Sequence, residues 1–99
     1  MLRHIVLLTL RPDAPEHQRE LIVEQLSALP GIVEELRGYS VRVDAGIDAA
    51  SSTNADLCVI ADFDDLDGYL SYRDHPAHRS VIDEHIAPFL QSRSAVQFM

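Results

Sequence analysis

Lysine is absent from this sequence, and positive charge of any kind is scarce. Eight arginines stand against sixteen carboxylates, which gives a formal net charge of −8 with histidine neutral. A surface with this charge repels phosphate backbones and anionic lipid headgroups. We therefore expect no nucleic acid and no membrane among the partners of this protein.

Cysteine and long apolar segments are also scarce. Cys58 is the only cysteine, so an internal disulfide cannot form. The apolar run from Ile5 to Leu8 is too short for a signal-peptide core or a membrane span. These absences favour a reducing cytoplasm, and 99 residues of ordinary globular composition predict a single domain over residues 1–99.

Four segments have the apolar patterns of strands. Leu2 to Leu10 is apolar at nearly every position, which is typical of a strand with both faces covered. Leu57 to Phe63 has a similar composition, whereas the segment that begins at Tyr39 alternates apolar and polar residues and predicts a half-buried strand. Ser94 to Phe98 predicts a final strand, and the small polar residues from Gly46 to Asn54 predict a flexible loop.

The main helices are predicted between these strands. Asp13 and Glu16 form a start like a capping box for the first helix. The aspartates within Asp64–Asp67 supply a cap and favourable charges for the second helix, and Pro76 opens the third. Because proline disrupts a helix interior, we expect Pro88 to kink or end the third helix.

The order of these elements is that of an α+β, ferredoxin-like sandwich with a four-stranded antiparallel sheet. Helices cover one face of such a sheet, yet the first strand offers Ile5 and Leu7 on one side and Val6 and Leu8 on the other. Leaving roughly 600 Å² of apolar surface exposed is unusual for a monomer, and covering it contributes on the order of 15 kcal/mol before association costs. We therefore predict a homodimer packed sheet to sheet.

Histidines are the candidate acid–base groups, because imidazole titrates near neutral pH. His4, in an apolar strand, is either a hydrogen-bonded core residue or part of a pocket wall, and His75 either caps the third helix or contacts a ligand. His78 falls on the inner stripe of that helix, where the phenol of Tyr72 can meet it. A phenol beside an imidazole can share a proton and stabilise an enolate, although packing alone also explains Tyr72.

Metal and thiol chemistry are poorly supported. The spacing of His75, His78 and His85 is loose for zinc, and paired cysteines are lacking. An apolar strand around Cys58 favours the neutral thiol, which is a poor nucleophile. We therefore expect no metal site.

Three features of the chain together resemble the stress-responsive A/B barrel (Dabb) domain. They are the HIVLL strand at residues 4–8, the aromatic segment from Phe63 to Tyr72 and the HPAH element at residues 75–78. The resemblance covers essentially the whole chain and implies a dimeric α+β barrel. Family membership implies the fold far more strongly than the chemistry.

In the same places the chain is similar to the plant polyketide cyclases of that family, which form olivetolic acid. This similarity implies that Tyr72 and His78 act as an acid–base pair without a cofactor, in an aldol closure, and that His4 borders the pocket. The chain departs from the cyclases at Leu57, where they have another pocket histidine.

The hypothesis from these observations is a homodimer with a helix-side pocket for a small, apolar carbonyl ligand. His78 is the expected base and Tyr72 its partner and oxyanion donor, while His4 and His75 contact the substrate. The reaction is expected to be cofactor-independent, of the cyclase or isomerase class. The alternatives are a non-catalytic, stress-associated dimer and a cofactorless monooxygenase.

Overall fold

The computed structural model describes residues 1–48 and 53–99, which form one sheet with helices on one of its faces. The strands are β1 Leu2–Leu10, β2 Gly38–Val43, β3 Leu57–Phe63 and β4 Leu90–Phe98, and the helices are α1 Gln18–Ser27, α2 Leu66–Asp74 and α3 Pro76–Val81. Short 3₁₀ turns occur at Leu29–Gly31 and Ala87–Phe89, and a π-helical turn at Ile82–Ile86. The predicted order of elements and the ferredoxin-like fold are confirmed.

The sheet is antiparallel throughout, with strand order β2-β3-β1-β4. β1 lies between β3 and β4, and its residue Ile5 is opposite Ile60 on one side and Val96 on the other. Directly opposite residues point to the same face of a sheet. The register therefore fixes which side chains of all four strands meet the helices.

The inner face of the sheet, which packs against the helices, contains the core. Alternate residues of β1 and β3 are buried there: Leu2, His4, Val6, Leu8 and Leu10, with Leu57, Val59, Ala61 and Phe63. Phe63 of β3 and Ile22 of α1 are fully buried in this core and are among the largest such side chains. The buried positions alternate along the whole of β1, from Leu2 to Leu10, so the strand spans the full apolar segment.

The outer face carries the other half of each strand. Its residues include Arg3, Ile5, Leu7, Cys58, Ile60, Asp62, Ser94, Val96 and Phe98. Leu7, Val96 and Phe98 are 43 to 55% exposed in the single chain. The expectation that β1 is covered on both faces is thus met on the inner face alone within one chain.

The capping box predicted for the first helix is wrong. α1 begins at Gln18, and its N-cap residue His17 makes no side-chain capping bond. Pro15 disfavours helix in the residue before it, and successive turns close instead through Ala14 N–H to the Arg11 carbonyl and Gln18 N–H to the Pro15 carbonyl. The second helix begins as predicted, since Asp65 accepts a hydrogen bond from Gly68 N–H at 2.9 Å.

The C-terminal part agrees with the prediction at Pro88 and differs from it at the start of the last strand. α3 continues as the π turn, and the 3₁₀ turn around Pro88 then leads into the strand, so Pro88 ends the helical segment as expected. β4 begins at Leu90 rather than at Ser94, and a register shift between Thr9 and Leu10 of β1 accommodates its start. The polar residues that open β4 lack the apolar alternation of a half-buried strand because they are exposed.

The loop predicted over Gly46–Asn54 includes residues 49–52, which lie outside the described residues. Before this gap, Asp44 accepts a hydrogen bond from Gly46 N–H, and after it Asp56 accepts one from Leu10 N–H. No helix in the described parts of the chain is long and apolar enough to cross a membrane.

Candidate functional site

An apolar cavity of about 110 Å³ lies between the inner face and the C-terminal helices. Its walls come from β1, β3, β4, α1, α2, α3 and the turns after α3: Val6, Leu8, Leu26, Val59, Tyr72, His78, Ile82, Ile86, Ala87, Leu90 and Arg93. A cavity of about 150 Å³ accepts a benzene molecule. This cavity is smaller, so it suits a small ligand or part of one. Its polar side chains are confined to three positions, Tyr72, His78 and Arg93.

The break between α2 and α3 positions His78. His75 Nδ1 accepts the hydrogen bond of Ala77 N–H at 3.1 Å, and Ala77 N–H is the group that would otherwise close a helical bond to the Arg73 carbonyl. The freed Arg73 carbonyl instead faces His78 Nδ1 at 3.2 Å. A carbonyl can only accept, so Nδ1 carries the proton and Nε2 keeps its lone pair.

Burial lowers the pKa of His78 below its ordinary value of 6.5, against the opposing effect of the Arg73 carbonyl. The neutral imidazole is therefore the stable form at neutral pH. With the proton held on Nδ1, Nε2 is the available base at the cavity wall.

Tyr72 lies beside His78 as predicted, but the two rings stack. Their centroids are 4.1 Å apart with an interplanar angle of 32°, and the Tyr72 hydroxyl forms a hydrogen bond with Tyr39 Oη at 3.2 Å. Burial raises the pKa of Tyr72 to about 12 and raises that of Tyr39 further. Both phenols therefore remain protonated, and either can donate the hydrogen bond between them. The Tyr72 hydroxyl is thus paired with Tyr39, and the ring of Tyr72 contacts His78.

His4 is a buried, hydrogen-bonded residue of the inner face. Gln97 lies opposite it on β4 and donates its amide N–H to His4 Nδ1 at 2.9 Å and to Tyr69 Oη at 3.1 Å. Burial lowers the pKa of His4 to about 4, with smaller contributions from Arg93 and His78. His4 is therefore neutral, and it is not among the residues lining the cavity.

His75 lies at the start of α3 and has a local structural role. Its side chain caps the helix through Ala77 N–H, with Pro76 at the first helical position. It does not line the cavity between the inner face and the C-terminal helices. Among the described residues no group of three or more histidine, cysteine, aspartate and glutamate side chains is arranged to hold a metal ion.

The family model of the stress responsive A/B barrel domain, Dabb, matches residues 2–99. The chain belongs to this family. The resemblance to the Dabb domain that the sequence indicated is thereby confirmed. No curated protein matches the sequence.

Solved structures give the same fold. A dimeric ferredoxin-like protein of unknown function from Thermobifida fusca YX is 39% identical, has a TM-score of 0.85, and the match covers 98% of this chain and 88% of that chain. A dimeric protein of unknown function with a ferredoxin-like fold from Bacteroides fragilis NCTC 9343 is 25% identical, with a TM-score of 0.80 and coverage of 98% and 93%.

A hydroxynitrile lyase from Passiflora edulis also has this fold. It is 16% identical to this Dabb domain, with a TM-score of 0.80 and coverage of 98% of this chain and 90% of that chain. At this identity the similarity concerns the fold alone.

Two residues of the Dabb cavity region were missed by reasoning from the sequence. Tyr39 falls at the start of the half-buried strand that the alternation predicts, but its pairing with Tyr72, 33 positions away, has no local signal. Arg93 lies opposite Leu8 and so faces the cavity, although its segment was not predicted as a strand. A register extending the Ser94–Phe98 strand backwards would have placed Arg93 on the same face as Ala95 and Gln97.

Proposed function

We propose that this protein binds a small, apolar carbonyl compound in the cavity and performs cofactor-independent acid–base chemistry on it. The observation that carries the proposal is the neutral His78 imidazole, whose proton is held on Nδ1 by the Arg73 carbonyl. This arrangement leaves a basic nitrogen at the wall of an apolar cavity, next to a protonated phenol. The reaction class is proton abstraction next to a carbonyl group, as in an isomerase or an aldol-type cyclase.

In this mechanism His78 Nε2 takes a proton from the carbon beside the ligand carbonyl, and the electron pair of that C–H bond moves onto the carbonyl oxygen as an enolate. Tyr72 donates a hydrogen bond to the enolate oxygen, while the hydroxyl of Tyr39 supports Tyr72. Where a conjugated double bond spreads the enolate charge to a second carbon, that carbon takes the proton back from His78, as in an isomerase. In a cyclase the enolate carbon instead attacks a second carbonyl of the same molecule, and the resulting alkoxide takes the proton from His78.

The proposal includes a homodimer formed through the outer face. Leu7, Val96 and Phe98 are exposed there in a single chain, with half-buried Ile5 and Ile60 between them. The Thermobifida and Bacteroides proteins described above are called dimeric. A second copy of this chain presents the same apolar side chains, which satisfies the symmetric contact of a twofold dimer.

Deuterium exchange into phenylacetone in D₂O tests the acid–base chemistry without knowledge of the natural substrate. We expect the wild-type protein to accelerate exchange at the carbons beside the carbonyl, as followed by NMR. His78→Gln should lower this rate by at least about a hundredfold, because a general base contributes about that much or more. His17→Gln, which changes an exposed histidine at the start of α1, is the matched control and should keep the wild-type rate. An unchanged rate in His78→Gln would remove His78 from the mechanism.

A non-catalytic ligand-binding dimer is the second candidate. The observation that favours it is the Tyr72 hydroxyl, which already has a hydrogen-bond partner in Tyr39. Under this candidate phenylacetone shifts the NMR signals of Tyr72 and His78 but exchanges no faster than in buffer. The same experiment therefore separates the two functions.

A further inference from the structure

Arg93 differs from most other arginines of this chain. Five of them pair with an aspartate at 3.4 Å or less: Arg3, Arg11, Arg19, Arg37 and Arg73. Arg93 has no such ion pair among residues 1–48 and 53–99, and it is one of the residues lining the apolar cavity. A guanidinium is always charged in proteins and presents donors that fit a carboxylate bidentately.

We propose that Arg93 is an anion-binding residue, and that the cavity takes a small ligand with an apolar body and a carboxylate. This inference rests on the proposed function, since it names the class of compound for the same cavity. The placement that carries it is the register of β4, which puts Arg93 opposite Leu8 on the inner face. The apolar walls then contact the body of the ligand, while the guanidinium holds its carboxylate.

The overall charge of the protein strengthens this argument. With sixteen carboxylates and eight arginines the chain as a whole repels an anion. An anionic ligand therefore needs a local cation that no carboxylate of the protein neutralises, and Arg93 is such a cation within the described residues. Its positive charge lowers the pKa of Tyr72, in opposition to burial, so its field reaches the side chains of the cavity.

The size of the cavity limits the body of the ligand. About 110 Å³ is less than the roughly 150 Å³ that holds benzene in an enclosed apolar cavity. Arg93 is exposed, so it lies where the cavity meets solvent. A short chain inside, or a ring that enters only in part and extends through the open mouth to a carboxylate at Arg93, is the arrangement that these dimensions allow.

Phenylacetate and phenylacetamide form a matched pair of probes, because they share the ring and differ in the charge. We expect the full-length protein to bind phenylacetate at least about tenfold more tightly than phenylacetamide, measured by NMR titration of the Tyr72 and His78 signals. Arg93→Gln should abolish this preference while leaving phenylacetamide binding within about twofold. Arg93→Lys should keep part of it, because a lysine supplies the charge without the planar fork.

Arg79→Gln is the control variant. Arg79 is exposed on α3 and does not line the cavity, yet like Arg93 it contributes to lowering the pKa of His78. The preference for phenylacetate should survive in Arg79→Gln. If both probes bind and Arg93→Gln keeps the wild-type preference, the anion site is refuted and the ligand cavity stands. If neither probe shifts the Tyr72 and His78 signals at millimolar concentration, the cavity and the anion site both fail.

Discussion

The two faces of the sheet are built from the same strands but satisfy their side chains differently. On the inner face the buried polar groups find partners within the chain, as in the His4–Gln97 and Tyr39–Tyr72 hydrogen bonds. On the outer face Arg3 and Asp62 pair with each other, while the apolar side chains of the central and edge strands remain exposed. Folding of one chain therefore buries the apolar side chains of the inner face, whereas it leaves exposed the apolar side chains of the outer face that form the proposed dimer contact.

Leu7→Asp on the outer face is the change with the largest expected effect. Leu7 is central in β1 and 43% exposed in the single chain. Placing a carboxylate there in both copies removes apolar contact and buries unpaired charge, so we expect the dimer dissociation constant to rise by about a thousandfold. Equilibrium sedimentation over a range of concentrations measures this constant.

Leu66→Asp provides the matched control for that experiment. Leu66 is 54% exposed and lies at the start of α2, on the helical side of the molecule. An aspartate there also suits the first turn of a helix. The dimer constant should be unchanged in Leu66→Asp, and a similar loss in both variants would show that the two faces do not differ as described.

Acidification should lower the free energy of unfolding through His4, which is buried on the inner face. Its pKa is about 4 in the folded protein against an ordinary value of 6.5, so the unfolded chain binds the proton first as the pH falls. The stability from the neutral imidazole is thus complete above 6.5 and is lost as the pH drops toward 4. We expect a loss of about 1 to 2 kcal/mol across this range, since solvent screens part of the charge.

Urea unfolding at fixed protein concentration, repeated across that pH range, measures the loss. In His4→Gln the unfolding free energy should depend less on pH, because glutamine does not titrate and can still hydrogen-bond to Gln97. His17→Gln should retain the wild-type dependence, since His17 is exposed. A wild-type slope in His4→Gln would assign the effect to another group.

The two central strands of the sheet could be predicted from the sequence, because the apolar pattern of each lies within one short segment. β1 and β3 have the predicted bounds because nearly every position is apolar and the ends are marked by polar residues or turns. The start of α1 was not accessible, because the turns at Arg11 and Pro15 compete with a helix start that Asp13 and Glu16 also favour. Local signals of similar strength conflicted there, and the backbone hydrogen bonds decided between them.

The sequence predicted two of the polar residues of the candidate site, Tyr72 and His78, but neither Arg93 nor the geometry of the site. His78 lies beside Tyr72, as the sequence predicted, because α3 turns back against α2 at the break between them, and the two rings stack. The proton position on His78 depends on the Arg73 carbonyl, which is freed by the cap that His75 forms. The Tyr39–Tyr72 bond depends on the docking of α2 against β2 and β3, which no periodicity contains.

Gly38→Ala is the change with the smallest expected effect on stability, and it tests how closely Asp62 approaches β2 on the outer face. A Cβ at Gly38 would lie 2.7 Å from Asp62 Oδ2, which is held in place by the two hydrogen bonds that Arg3 donates to the carboxylate at 2.7 and 2.9 Å. The carboxylate must shift, and we expect unfolding free energy to fall by about 1 kcal/mol. At Gly31 nothing lies within 4 Å of an added Cβ, so Gly31→Ala should instead raise stability by about 0.4 to 1 kcal/mol. Urea unfolding of both variants measures the difference, and equal effects would mean that the close approach of Asp62 to β2 does not constrain Gly38.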